Sequence, residues 1–160
     1  MSENTTPPAP TAPPAPTATS ATNKTVSHVL GEITWLMSQS AVHKNFFISD
    51  LEWLIMPAVL VERFRIYNRK EGPAAVALWA TVSEETDARL RGGATKLRPD
   101  EWTAGDIPWL IELIAPFGGQ EEILKDLSSE IFKDKPFTFH TTTPQGRVVK
   151  TWPENTETLQ

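Results

Sequence analysis

Apolar residues recur along this chain with two different periods. Val26, Val29, Leu30, Ile33, Leu36 and Met37 fall at helical spacing and predict an amphipathic helix over Val26–Gln39. The polar segment Ser38–Lys44 follows and carries His43. Ser49 with Glu52 three residues later has the form of a capping box. It opens a second helix with the apolar face Leu51, Trp53, Leu54, Ile55 and Met56, which Pro57 should end or kink. The pattern then shortens. Val59–Tyr67 is β-branched and aromatic with Phe64 and Ile66 alternating, Asn68–Pro73 has turn chemistry, and Ala74–Val82 is again apolar, which together predict a β-hairpin. Ser83 caps a short helix, Glu84–Arg91, with acidic residues at its start and Gly92 past its end.

Glu101–Pro108 reads as irregular. Trp109–Ala115 (WLIELIA) has the near-continuous apolar run of a strand buried on both faces, and Pro116-Phe117-Gly118-Gly119 breaks it. Glu121–Phe132 is helical in pattern, and Pro136–His140 and Arg147–Trp152 are strands around the turn Thr143-Pro144-Gln145-Gly146. This order predicts a single α+β domain with a largely antiparallel, twisted sheet flanked by helices. Every residue from Thr5 to Thr22 is Pro, Ala, Thr or Ser, so residues 1–24 are expected to be a disordered tail, 25–153 the folded domain and 154–160 a flexible C-terminus.

Composition narrows the chemistry. The 160-residue chain has no Cys, which excludes disulfides, thiolate catalysis and Cys-ligated metals, and its three His show no metal-ligand spacing. No metal site is expected. A net charge of −5 disfavours general nucleic-acid binding, and no apolar run is long enough for an integral membrane segment. The N-terminus lacks the pattern of a secretory signal.

Two positions suggest catalysis: His43 in a loop after a helix, and Asp106 in the Gly-containing turn Trp102-Thr103-Ala104-Gly105-Asp106. A carboxylate that fixes an imidazole tautomer makes a general base, whereas the plain alternative is a surface His and a turn Asp. His28 reads as a partly exposed helix position and His140 as a surface residue at a strand end. The tryptophans read as core packing, with the lining of an acyl-chain groove as the specific alternative.

Several separated stretches resemble one family. Gly31-Glu32-Ile33-Thr34-Trp35-Leu36, Ser40-Ala41-Val42-His43-Lys44-Asn45, Leu78-Trp79-Ala80, and Glu101-Trp102-Thr103-Ala104-Gly105-Asp106 followed by Trp109 and Ile114-Ala115-Pro116-Phe117-Gly118 are similar, in order and spacing, to the RTX toxin-activating lysine acyltransferases. The resemblance covers roughly Gly31 to Gly119. It implies a GNAT-like fold without the acetyl-CoA pyrophosphate loop, and a cytoplasmic enzyme that moves a fatty acyl chain from acyl carrier protein to internal lysines of an RTX-type protein. No cofactor is held permanently, acyl-acyl carrier protein is the donor, and homodimers occur among relatives. The family's essential His falls on His43 and its essential Asp on Asp106, with Ser40 and Asn45 at the matching substrate-binding positions. His43 then acts as base or nucleophile assisted by Asp106. A non-catalytic adaptor of the same fold is the alternative. Longer members continue with a basic C-terminal extension past the position of the Arg147–Trp152 strand, which is not expected here, and the acidic net charge calls for a local cationic patch near Lys44 or Arg63–Lys70 to dock the carrier protein.

Overall fold

The computed structural model describes residues 24–154; the expected N-terminal tail and the extreme C-terminus lie outside the described residues. Helix α1 (Val26–Gln39) forms where the apolar stripe predicts it, with the Thr25 side chain accepting a hydrogen bond from the His28 backbone N–H at its start. A single 3-10 turn, His43–Asn45, follows. Pro57 does not end the next helix. Leu51–Ile55 is a π-helical turn, and Pro57 sits in the first turn of α2 (Met56–Leu60), where its missing N–H costs nothing. Val59 and Leu60 therefore belong to a helix rather than to the expected strand.

Strands β1 (Phe64–Arg69) and β2 (Gly72–Val82) form the predicted hairpin, and α3 (Glu84–Arg91) follows behind its Ser83 cap. The segment expected to be irregular contains a 3-10 turn, Pro99–Thr103. Strand β3 runs from Ile107 to Ile114, α4 from Gln120 to Asp126 with a π-helical continuation to Ile131, and β4 (Phe137–Thr143) and β5 (Gly146–Trp152) close the domain. The result is an α+β architecture in which one open sheet of order β1-β2-β3-β4-β5 is antiparallel except for the parallel pair β3–β4.

Two apolar layers cover the sheet. On one face Ile33, Leu36, Leu54, Ile55, Leu90 and Trp102 pack against Val76, Leu78, Ala80, Trp109 and Ile114. On the other, Ile123, Leu127 and Phe132 pack against Ala77, Trp79, Leu110 and Phe137. Two irregularities in the sheet shape the rest of the molecule. Between β2 and β3 the register shifts: Leu78 faces Glu112 and Trp79 faces Leu110, so Ile111 is an extra residue on β3. Between β3 and β4 the ladder holds only Trp109 with Thr138 and Leu110 with Phe139, and beyond Leu110 the two strands part. Among the described residues no helix is long and apolar enough to cross a membrane.

Candidate active site

The bulge at Ile111 decides where Glu112 points. Strand residues alternate between faces, so Trp109 and Ile111 would share one face and Leu110 and Glu112 the other. The extra residue resets the alternation. Trp109, Ile111 and Ile114 pack in the α1-side layer and Leu110 and Leu113 in the α4-side layer. Glu112 is opposite Leu78, on the α1 side. There it meets His43, whose Nε2 lies 2.8 Å from Glu112 Oε1.

The backbone that carries His43 is organised by Ser40, which ends α1 in an extended conformation. Its carbonyl accepts from the Lys44 N–H, and its hydroxyl accepts from the His43 backbone N–H at 3.3 Å. The same hydroxyl contacts His43 Nδ1 at 2.7 Å. Phe46 packs on the ring with centroids 5.2 Å apart, and His43 is only 8% exposed. Both ring nitrogens are therefore engaged. A carboxylate can only accept, so Nε2 carries a proton toward Glu112, and in the neutral ring the Ser40 hydroxyl donates to Nδ1. Asn45 is exposed and donates from its side-chain amide to the Ala41 carbonyl, closing the same loop.

Where β3 and β4 part, the sheet is perforated. A cavity of about 370 Å³ opens on the α4 side, with Leu113, Leu124, Phe139, Lys150 and Trp152 in its wall. A second, of about 190 Å³, opens on the α1 side between Phe46, Trp53, Leu54, Leu90 and Trp109. Leu110, Ile111, Glu112, His140 and Arg147 line both. The two cavities flank this shared wall as the two mouths of the slot between the strands, and Glu112 links it to His43.

Asp106 lies elsewhere. It precedes β3, six residues from Glu112, and strand geometry places it about 20 Å along the chain from the imidazole's partner. It lines a separate cavity of about 440 Å³ with Arg63, Thr81, Lys133 and Lys135. The expected meeting of His43 with Asp106 is thus not what the structure shows. The side-chain partners of His43 among the described residues are Ser40 and Glu112.

Sequence reasoning missed Glu112 and misjudged His140. The signal for Glu112 was its position as the single charge within WLIELIA, a run too apolar to hold a carboxylate without a partner. His140 is not a surface residue. It is half-buried in β4, its Nε2 donates to the Leu90 carbonyl at 2.8 Å, and its ring stands edge-on to Trp109. The tryptophans divide: Trp79, Trp102 and Trp109 are core, Trp53 lines the smaller cavity and Trp35 is 46% exposed. Of the cations considered for docking, Arg65 is paired with Asp126 and Arg69 lies over the Phe117 ring. Among the described residues no cluster of three or more His, Asp or Glu is placed to hold a metal.

A family model, the RTX toxin acyltransferase family, matches residues 22–153. A protein-lysine myristoyltransferase, HlyC, of Escherichia coli is 30% identical over 122 residues, covering 76% of this chain and 71% of its own. The RTX-II toxin-activating lysine-acyltransferase ApxIIC of Actinobacillus pleuropneumoniae is 30% identical over 131 residues, 82% of this chain and 76% of that one. The RTX-I toxin-activating lysine-acyltransferase ApxIC of the same species is 31% identical over 122 residues, 76% and 70% respectively.

Proposed function

Because this chain belongs to the RTX toxin acyltransferase family, we propose that it transfers a fatty acyl group from acyl carrier protein to lysine side chains of an RTX-type protein in the cytoplasm, through His43 and the slot between β3 and β4. The observation that carries this reading is the Ser40–His43–Glu112 array, its imidazole buried, beside two cavities that share the wall at Glu112 where β3 and β4 part. A parallel, splayed strand pair inside an otherwise antiparallel sheet also supports a GNAT-like fold.

The chemistry follows from the geometry. The larger, α4-side mouth takes the thioester arm of the donor, and the narrower mouth, walled by Phe46, Trp53 and Trp109, takes the aliphatic stem of the lysine. Among the described residues Glu112 is the one carboxylate that lines both mouths, and it draws the ammonium toward His43. The amine nitrogen attacks the thioester carbonyl, the new C–N bond forms, and the C–S bond breaks. The His43–Glu112 pair takes a proton from the attacking nitrogen and hands it to the departing thiolate. His43 acts as base rather than nucleophile in this scheme, because the Ser40 hydroxyl that occupies Nδ1 can pass a proton to it but not an acyl group, and Nε2 already carries its proton toward Glu112. Ser40 holds the tautomer and Asn45 the loop that presents it. Asp106 contributes at the start of β3, away from the imidazole. The homodimer implied by the family is part of the same reading and is checked by sedimentation.

Two experiments test this. Co-expression with an RTX protein should add a fatty-acyl mass to lysine peptides, and His43→Ala should abolish it; no increment with any RTX partner would leave a non-catalytic adaptor as the better description. Ring 15N resonances of His43 should move in Glu112→Gln and stay in place in Asp106→Asn. The opposite result would restore Asp106 as its partner.

A further inference from the structure

Acyl transfer to lysine releases two protons from one nitrogen. The substrate arrives as an ammonium, because the unperturbed lysine pKa is near 10.4, and must lose a proton before it has a lone pair to attack with. After attack, the nitrogen bonded to the acyl carbon must lose another to become an amide. The His43–Glu112 pair, with both imidazole nitrogens already engaged, serves one of these transfers. The other needs a second acceptor at the slot.

His140 has the required features. It lines both mouths of the slot together with Glu112. Its Nε2 is committed as a donor to the Leu90 carbonyl at the end of α3, so in the neutral ring the unshared pair lies on Nδ1. The orientation is braced from behind. Trp109, whose ring centroid is 5.3 Å from that of His140, donates its indole N–H to Asp87 at 2.7 Å, and Asp87 is paired with Arg91. In a ring held this firmly at a cavity wall, with Nε2 committed as donor, Nδ1 is the atom left to accept a proton.

We infer that His140 is a second catalytic residue, whose Nδ1 takes the first proton from the substrate ammonium as the lysine stem enters the narrow mouth. This rests on the acyltransferase reading above. The N–H bond breaks toward Nδ1, the electron pair stays on the lysine nitrogen, and the neutral amine attacks the thioester carbonyl. The His43–Glu112 pair takes the second proton and passes it to the thiolate. The proton on His140 leaves to solvent through the open mouth, so the balance is one amide, one thiol and one released proton.

His140→Gln keeps an N–H donor for the Leu90 carbonyl and removes the acceptor. With a lysine peptide as substrate, its kcat should fall by about tenfold or more while KM for the acyl donor changes by less than about twofold and the melting temperature holds. With hydroxylamine, an acceptor already neutral at neutral pH, the same variant should match the parent protein above the uncatalysed rate. Full activity toward the lysine peptide, or equal losses with both acceptors, would overturn the assignment. A second measurement does not depend on acyl transfer. Titration with n-butylamine, a lysine side-chain mimic, should shift the His140 ring resonances in the intact protein and fail to do so after Glu112→Gln. An unmoved His140 signal at saturating amine sinks the inference, whereas a parent protein that shows the shift but acylates no lysine sinks the acyltransferase reading instead.

Discussion

Ser40 shows how much of this site rests on single side chains. Its hydroxyl serves the His43 backbone N–H and the His43 ring at once. Ser40→Ala removes both bonds and leaves Nδ1 of a largely buried ring without its partner, so stability should fall by about 1–2 kcal/mol in urea titrations. The ring also loses its tautomer lock, and kcat should fall by about tenfold or more, within the range of a weakened general base. Glu101 is a second such residue, but its role is stability. The Arg89 side chain and the Arg98 backbone N–H hold its nearly buried carboxyl at a pKa of about 2, against an ordinary value of 4.5. A depressed carboxylate pKa contributes stability that is complete above pH 4.5 and is lost as pH falls toward 2. The loss is on the order of 2–3 kcal/mol. Glu101→Gln should therefore be less stable at pH 7 and should flatten the fall in stability over that acid window, read from thermal unfolding at stepped pH.

At the scale of elements, the bulge in β3 and the tight crossing at Gly105 position everything else. A Cβ on Gly105 would lie 2.2 Å from the Val82 carbonyl oxygen, and the Gly105 N–H bonds to the Thr81 carbonyl at 3.1 Å. Gly105→Ala must push the Trp102–Asp106 turn off the end of β2, with a cost of about 3 kcal/mol or more in chemical denaturation. Helices α1, α3 and α4 and all five strands were legible because their apolar periods are local properties. Pro57 misled because a proline stops a helix from inside yet starts one at its first turn, and the two cases share a sequence. The site was half legible. His43 and Ser40 lie three residues apart, so their contact follows from one turn of backbone. Glu112 is 69 residues from His43 and reaches it only because Ile111 shifts the strand's alternation, a property of pairing with β2 that no run of residues in β3 encodes by itself. Choosing Asp106 was reasoning from residue type and resemblance, and β3 separates it from the imidazole by its own length.

At the scale of the whole molecule, a slot through the sheet fixes the order of events. In the reaction proposed above, donor and acceptor have separate entrances, and Glu112, His140 and Arg147, which line both cavities, lie where the two substrates would meet. Neither substrate blocks the other, so nothing obliges the acyl group to be parked on the protein between them. His43, 8% exposed with both nitrogens bonded, is poorly placed to carry it. The expected kinetics are sequential: double-reciprocal plots of rate against donor, at several acceptor concentrations, should intersect. Parallel lines, with a burst of released thiol in the absence of acceptor, are the signature of a covalent acyl-enzyme. They would mean that Glu112 swings away from His43 on donor binding and that the ring proton leaves Nε2 before it attacks. Because that motion must break the 2.8 Å contact, the same burst should then grow in Glu112→Gln, whose neutral amide holds the imidazole less tightly.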